Sequence, residues 1–189
     1  MSHLAAIVLG GGRSRRFGAD KLDVDVRGAP LLRHSVDAAL QAGASVVVVG
    51  PARAVVPEGV RVVREDPPYA GPYAAVAAGL GALGADADVV LVLAGDLVDP
   101  GPLLPRLLAA VEAGAEAAVA VDASGRRQPL LAAYRVAPLR GGVAGVDPMN
   151  RAAGELLDGL RVVEVPDTEG NARDIDVPAD AAAEEGAGG

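Results

Sequence analysis

Short runs of Val, Leu, Ile and Ala recur along the chain at 4–9, 45–50, 60–64, 89–93 and 117–121, with Gly or Pro punctuation between them. Runs that are apolar at nearly every position, rather than at alternate ones, suit strands buried on both faces of a sheet. Between them, the segments 30–42, 71–83, 102–113 and 150–157 carry Ala and Leu at helical spacing. That alternation argues for an α/β fold with a mostly parallel sheet covered by helices. Asp99, ahead of Pro100 and Pro102, reads as the N-cap of the third helix, a structural role. No internal repeat or long linker divides the 189 residues, so a single domain over 1–180 is expected, followed by an Ala/Glu/Gly low-complexity tail at 181–189.

Charge and composition narrow the chemistry. The 25 acidic against 17 basic residues give a formal net charge of -8, which opposes the phosphate-neutralising contacts of a nucleic-acid binder. Aromatic residues are only 2% of the chain, too few to build stacking platforms for single strands. No apolar run reaches membrane-spanning length, and the start of the chain lacks the pattern of a signal peptide; a cytoplasmic protein without membrane or nucleic-acid partners is expected. The absence of cysteine excludes disulfides, thiolate metal sites and Cys nucleophiles. Both histidines, His3 near the terminus and His34 within the first helical segment, are read as structural.

The first strand runs into Leu9-Gly10-Gly11-Gly12-Arg13-Ser14-Arg15-Arg16-Phe17-Gly18-Ala19-Asp20-Lys21. Ligands of open α/β sheets bind beyond the carboxyl ends of strands. Glycines let backbone N–H groups approach phosphate oxygens, and Arg and Lys supply the opposing charge, so an anionic phosphate-bearing ligand is the natural reading. A dinucleotide fingerprint would need Gly where Arg15 stands, and a P-loop would need Gly where Asp20 stands; neither motif is present. Of the 17 basic residues only Lys21 is a lysine, and it lies in this loop. A compact ammonium on a flexible stem follows a phosphate through a change of geometry better than a planar guanidinium does, which makes Lys21 the foremost candidate. Phe17 is read as an apolar anchor for the loop.

Two carboxylate positions fit a metal. The strand at 89–93 runs on to Asp96, which parallel pairing would bring to the same sheet edge as the glycines. Mg²⁺ commonly takes one or two protein carboxylates and completes its octahedron with water and phosphate oxygens. Asp174 and Asp176 flank Ile175 and would share one side of an extended segment, so that one of them could complete the site.

Together these motifs resemble the molybdenum cofactor guanylyltransferases, whose first strand leads into L-[AG]-G-G-x-S-x-R-x-G-x-D-K. The similarity continues through Glu65-Asp66, Gly71-Pro72, Asp96, Gln128-Pro129-Leu130 and Asp174-Ile175-Asp176-Val177-Pro178, covering nearly the whole chain in order. Gly11 occupies the position that separates the guanylyl branch from cytidylyl relatives, which begin L-A-A-G. The resemblance implies a single-domain, Rossmann-like, three-layer αβα nucleotidyltransferase fold. It implies transfer of GMP from GTP to the phosphate of molybdopterin, Mg²⁺ dependence, and transient contact with cofactor-delivery proteins. By position, Leu9, Gly10, Gly11 and Gly12 would contact GTP, Lys21 would bind phosphate, and Asp66 would help fix the nucleoside. Asp96 would bind Mg²⁺ with Asp176 nearby, while Arg13 and Arg16 would hold the β- and γ-phosphates.

The family's Asp-x-Pro is Asp96-Leu97-Val98 here, and its Gly-Pro-Leu-Ala-Gly is Gly71-Pro72-Tyr73-Ala74-Ala75. The residues themselves leave other readings open: a cytidylyltransferase, a guanylyltransferase for another small phosphate, a GTP-binding module without turnover, or a nicotinamide-dependent oxidoreductase. Arg126, Arg127 and Gln128 are candidate donors for an anionic acceptor.

Overall fold

The computed structural model describes residues 3–11 and 20–170. The residues Gly12, Arg13, Arg16, Phe17, Asp174 and Asp176, and the tail at 181–189, lie outside them. Strand β1 (His3–Leu9) is followed by a 3-10 turn (Lys21–Asp23), a small ribbon of β2 (Asp25–Val26) and β3 (Ala29–Pro30), and α1 (Leu31–Gln41). Next come β4 (Ser45–Val49), β5 (Arg61–Val63), α2 (Pro72–Ala82), β6 (Ala87–Ala94) and α3 (Leu104–Glu112). The chain continues through β7 (Ala117–Val121), β8 (Arg127–Arg135), α4 (Val136–Val143) and β9 (Val162–Pro166).

Seven strands form one sheet in the order β5-β4-β1-β6-β8-β7-β9. β1 pairs in parallel with both β4 and β6, β4 with β5, and β7 with β9; only β8 runs antiparallel, to β6 and β7. The reason is the connection. β7 reaches β8 through residues 122–126, far shorter than the dozen or more residues a parallel crossover requires. That turn is organised by Asp122, whose carboxylate accepts from Ser124 Oγ (2.6 Å), Arg126 N (3.0 Å) and Gln128 Nε2 (2.7 Å). Those donors, Ser124 foremost, pull its pKa down to about 2. The β7–β8 ladder breaks between Val119 and Ala120, where β8 contains Pro129, a residue unable to donate to a ladder. Tyr134 Oη donates to the Pro129 carbonyl (2.9 Å), and burial pushes this phenol far above the ordinary tyrosine range, so it stays a donor.

Strand periodicity divides the core in two. Ala6 and Val8 of β1 and Leu91 and Leu93 of β6 pack with Leu32 and Val36 of α1 and Leu107 and Val111 of α3. Ala5, Ile7, Val90 and Val92 face the other way, toward Val76 and Leu80 of α2 and Leu139 of α4. The result is the expected three-layer αβα arrangement, with β1 and β6 central and covered on both faces.

Two local expectations are corrected. Asp99 makes no cap: α3 begins at Leu104 after a 3-10 turn at Gly101–Leu103, neither with a side-chain cap bond. The proline-rich approach enters α3 by continuous right-handed backbone, so no extended capping residue is called for. The segment 150–157 forms only a 3-10 turn, Ala153–Leu157, in which Leu156 and Leu157 are buried. Strand β8 and helix α4, over 127–143, went unread because Pro129 and the Gly141-Gly142 pair interrupt the patterns that mark strands and helices.

Candidate active site

From β1 the chain moves outward to β4 and β5, then crosses back to lay β6 on β1's other side. That reversal makes a topological switch point, and the crevice outside the carboxyl ends of β1 and β6 is where such sheets hold ligands. Leu9 is in register with Val49 on one side and Ala94 on the other. The turn beyond β1 is tied to both neighbours: Gly10 N donates to the Val49 carbonyl (2.9 Å), and Gly95 N donates to the Leu9 carbonyl (3.0 Å).

Space here permits only glycine at Gly50, where a Cβ would lie 2.5 Å from the Gly10 carbonyl carbon and 2.8 Å from Gly11 N. Because the obstruction is backbone, Gly50→Ala is expected to destabilise the fold by about 1–3 kcal/mol, as overpacking does, and to displace the glycine turn. Thermal unfolding of the variant checks the first effect and GTP affinity the second.

Lys21 opens the 3-10 turn that Asp20 caps, the Asp20 carboxylate accepting from Leu22 N (3.2 Å). Its Nζ lies 2.5 Å from Asp96 Oδ2, with the side chains 22% and 19% exposed. The two foremost sequence candidates, 75 residues apart, are thus joined directly. Asp96 follows β6 in a turn whose next residues, Leu97 and Val98, are buried at 4% and 5% exposure. The departure from the family's Asp-x-Pro is therefore an apolar anchor beneath Asp96. Likewise Tyr73 points into the α2–α4 layer, where its hydroxyl donates to the Gly142 carbonyl (3.4 Å) and Arg151 lies over its ring.

Leu9, Gly10 and Gly11 stand at this edge as expected, Gly11 exposed. Asp66 is exposed in the loop after β5, two strands from β1. Its neighbour Glu65 is buried; one carboxylate oxygen accepts from Tyr69 N (2.9 Å), and the other has no partner among the described residues. Two of the proposed acceptor donors are committed elsewhere: Gln128 donates to Asp122, and Arg127 pairs with Glu164 (2.7 Å). His34 Nε2 bonds the Val26 carbonyl (2.8 Å), in keeping with its structural reading. A cavity of about 220 Å³ between α2 and α4, lined by Tyr73, Leu139, Val143 and Arg151, shares no residue with the Lys21–Asp96 cluster.

Sequence reasoning missed Arg53. Its side chain is only 4% exposed and pairs with both Asp20 and Asp23, while Nε donates to the Gly10 carbonyl (3.2 Å). Burial disfavours its charge, but hydrogen bonding and attraction from Asp20, then Asp23, outweigh that and raise its pKa. The available signal was its place two residues beyond Pro51, just past a strand that had to end beside β1.

For a cation, no group of three or more His, Cys, Asp or Glu side chains clusters among the described residues. A single carboxylate, Asp96, fits a hard cation completed by water and phosphate oxygens and does not fit a closed structural site. Chemically, the edge offers an ammonium for phosphate, a carboxylate for such a cation, and the exposed backbone of Gly11.

Fold and site together define a doubly wound, three-layer α/β protein with its charged chemistry gathered at the switch point. A family model for the MobA-like NTP transferase domain matches residues 6–158, and the chain belongs to that family. It is 36% identical to the molybdenum cofactor guanylyltransferase of Rhizobium johnstonii over 140 residues, covering 71% of this chain and 65% of that protein. It is 36% identical to the probable molybdenum cofactor guanylyltransferase of Chloroflexus aggregans over 149 residues, 72% of this chain and 69% of that one. Among solved structures, Rv0371c of Mycobacterium tuberculosis in complex with manganese superposes with a TM-score of 0.74 at 19% identity, over 98% of each chain.

Proposed function

We propose that this chain is a molybdenum cofactor guanylyltransferase, which moves GMP from GTP to the terminal phosphate of molybdopterin and releases pyrophosphate. The observation that carries the reading is the Lys21–Asp96 pair at the tips of two central parallel strands, beside the glycine turn. The names of the curated relatives support it.

A phosphate monoester with a second pKa near 6 is largely dianionic at neutral pH, so its oxygen attacks the α-phosphorus without a general base. The bond from that phosphorus to the α–β bridging oxygen breaks as the new one forms, and pyrophosphate leaves. This agrees with an edge where no histidine stands among the described residues. The chain's part is to position and neutralise. Lys21 holds phosphate, Gly10 and Gly11 let the nucleotide approach the backbone, and Asp66 contributes to the nucleoside.

Asp96 would hold a divalent cation, with Mg²⁺ proposed; Asp176, Arg13, Arg16 and Gly12 remain proposals on the family pattern. Once bound, such a cation neutralises phosphate charge and acts as a Lewis acid. The manganese complex of the mycobacterial protein supports a divalent ion. No helix among the described residues is long and apolar enough to cross a membrane, and a cytoplasmic location is proposed with the activity.

Pyrophosphate release from GTP with Mg²⁺ and molybdopterin tests the assignment. A strong preference for GTP over CTP is expected, because a site that hydrogen-bonds one base leaves buried polar groups unpaired with the other. Equal use of the two would reject the guanylyl reading in favour of its cytidylyl relative.

A further inference from the structure

We infer that Arg53 is a positioning residue, which fixes Lys21 against the tip of β1 by clamping the Lys21 turn to the glycine turn. The inference rests on the reading of Lys21 as the phosphate-binding group and adds a residue outside the strand–glycine–lysine motif. Arg53 lies in the loop after β4, yet its guanidinium reaches two other segments at once. Nε donates to the Gly10 carbonyl (3.2 Å), Nη1 donates to Asp23 Oδ2 (3.0 Å), and Nη2 donates to Asp20 Oδ2.

Asp20 and Asp23 bracket the 3-10 turn on which Lys21 sits, and Asp20 also caps it. One rigid fork therefore joins the backbone of β1's tip to both ends of the turn. Only a guanidinium offers several donors in a fixed plane; a lysine at this position could not span the same acceptors with defined geometry. Its depth matters as well, because a side chain 4% exposed is screened little by solvent and is confined to one arrangement.

The clamp also has an electrostatic role. Asp20 and Asp23 would otherwise stand beside Lys21 as bare carboxylates and compete with an incoming phosphate for its ammonium. With Arg53 bound to both, their charge is balanced within the clamp. A lysine stem has several rotatable bonds, so holding its turn in place is what converts a flexible ammonium into a preorganised one.

The test uses the fact that Lys21 is the only lysine in the chain. Selective ¹⁵N-lysine labelling gives a single side-chain ammonium signal. In the intact protein it is expected to be shifted from free lysine by its bond to Asp96. In Arg53→Ala it is expected to broaden or move toward the free-lysine position, and Arg53→Lys, whose added side chain gives a second, separately assignable signal, is expected to do the same to the Lys21 signal. An unchanged Lys21 signal in a folded variant overturns the inference.

A double-mutant cycle supplies the activity arm. Arg53→Ala is expected to lower kcat/KM for GTP at least tenfold in the native background and less than twofold when Lys21→Ala is already present. Equal losses in both backgrounds would mean that Arg53 merely supports the fold. Should the alanine variant not fold, Arg53→Lys carries the same cycle. If the unmodified protein releases no pyrophosphate, the functional reading has failed, while the ammonium signal still decides the clamp.

Discussion

Lys21→Ala is expected to lower turnover at saturating GTP by at least ~100-fold, the scale of losing one preorganised electrostatic contact in a water-poor site. The effect should fall mainly on turnover, because the ammonium is needed most where negative charge shifts onto departing pyrophosphate. Among the described residues, Arg53 at this edge is no substitute, since its fork is occupied by Gly10, Asp20 and Asp23. Lys21→Arg is expected to recover little, since a planar fork cannot occupy the compact place beside Asp96. Steady-state pyrophosphate release measures the loss, and a Lys21→Ala enzyme working near the native rate would remove this residue from the mechanism.

Asp96→Asn has a sharper signature, because it acts on two ligands in opposite directions. Losing the carboxylate is expected to cost at least ~100-fold in metal-dependent turnover, since the cation loses its charged protein ligand. Yet the same substitution releases Lys21 from a partner 2.5 Å away. In the native protein a triphosphate arriving without metal must draw Lys21 from Asp96, and a cation arriving alone must displace Lys21 from the carboxylate. Each ligand therefore eases binding of the other, a reciprocal coupling carried by one ion pair.

With chelator present, GTP should bind Asp96→Asn more tightly than the native protein, by up to about fivefold if the pair is worth about 1 kcal/mol. Calorimetric titration with and without Mg²⁺ reads both halves. Tighter metal-free binding together with lost turnover supports the pairing, whereas weaker metal-free binding would show that Asp96 serves the nucleotide in another way.

Most strands legible in the sequence were those under the strongest burial constraint, while β5, a part-buried edge strand, was legible from its short apolar run and not from full burial. β1, β4, β6 and β7 are almost wholly apolar because both faces are covered, and their shortness separates them from buried helices. β9 reads poorly because Val163 and Glu164 are exposed and a charge interrupts its apolar run. β8 was hidden by Pro129 at a break in its ladder, and α4 by two glycines in its last turn. Asp99 illustrates the opposite failure, a strong local capping signal that the preceding turn made unnecessary. Arg53 was illegible for a different reason: its three acceptors come from two segments distant in sequence, and only folding makes them neighbours.

By itself the sequence determined the fold class, the glycine turn at the end of the first strand, and the singularity of Lys21, because burial and backbone freedom act on residues and their near neighbours. What only the tertiary structure decided is which groups meet. Parallel pairing of β1 with β6 sets Leu9 beside Ala94 and so brings Lys21 to Asp96, and the outward step to β4 delivers Arg53 to the same turn. Such contacts depend on strand order and register, which are settled by how the whole sheet buries its two faces and not by any local pattern.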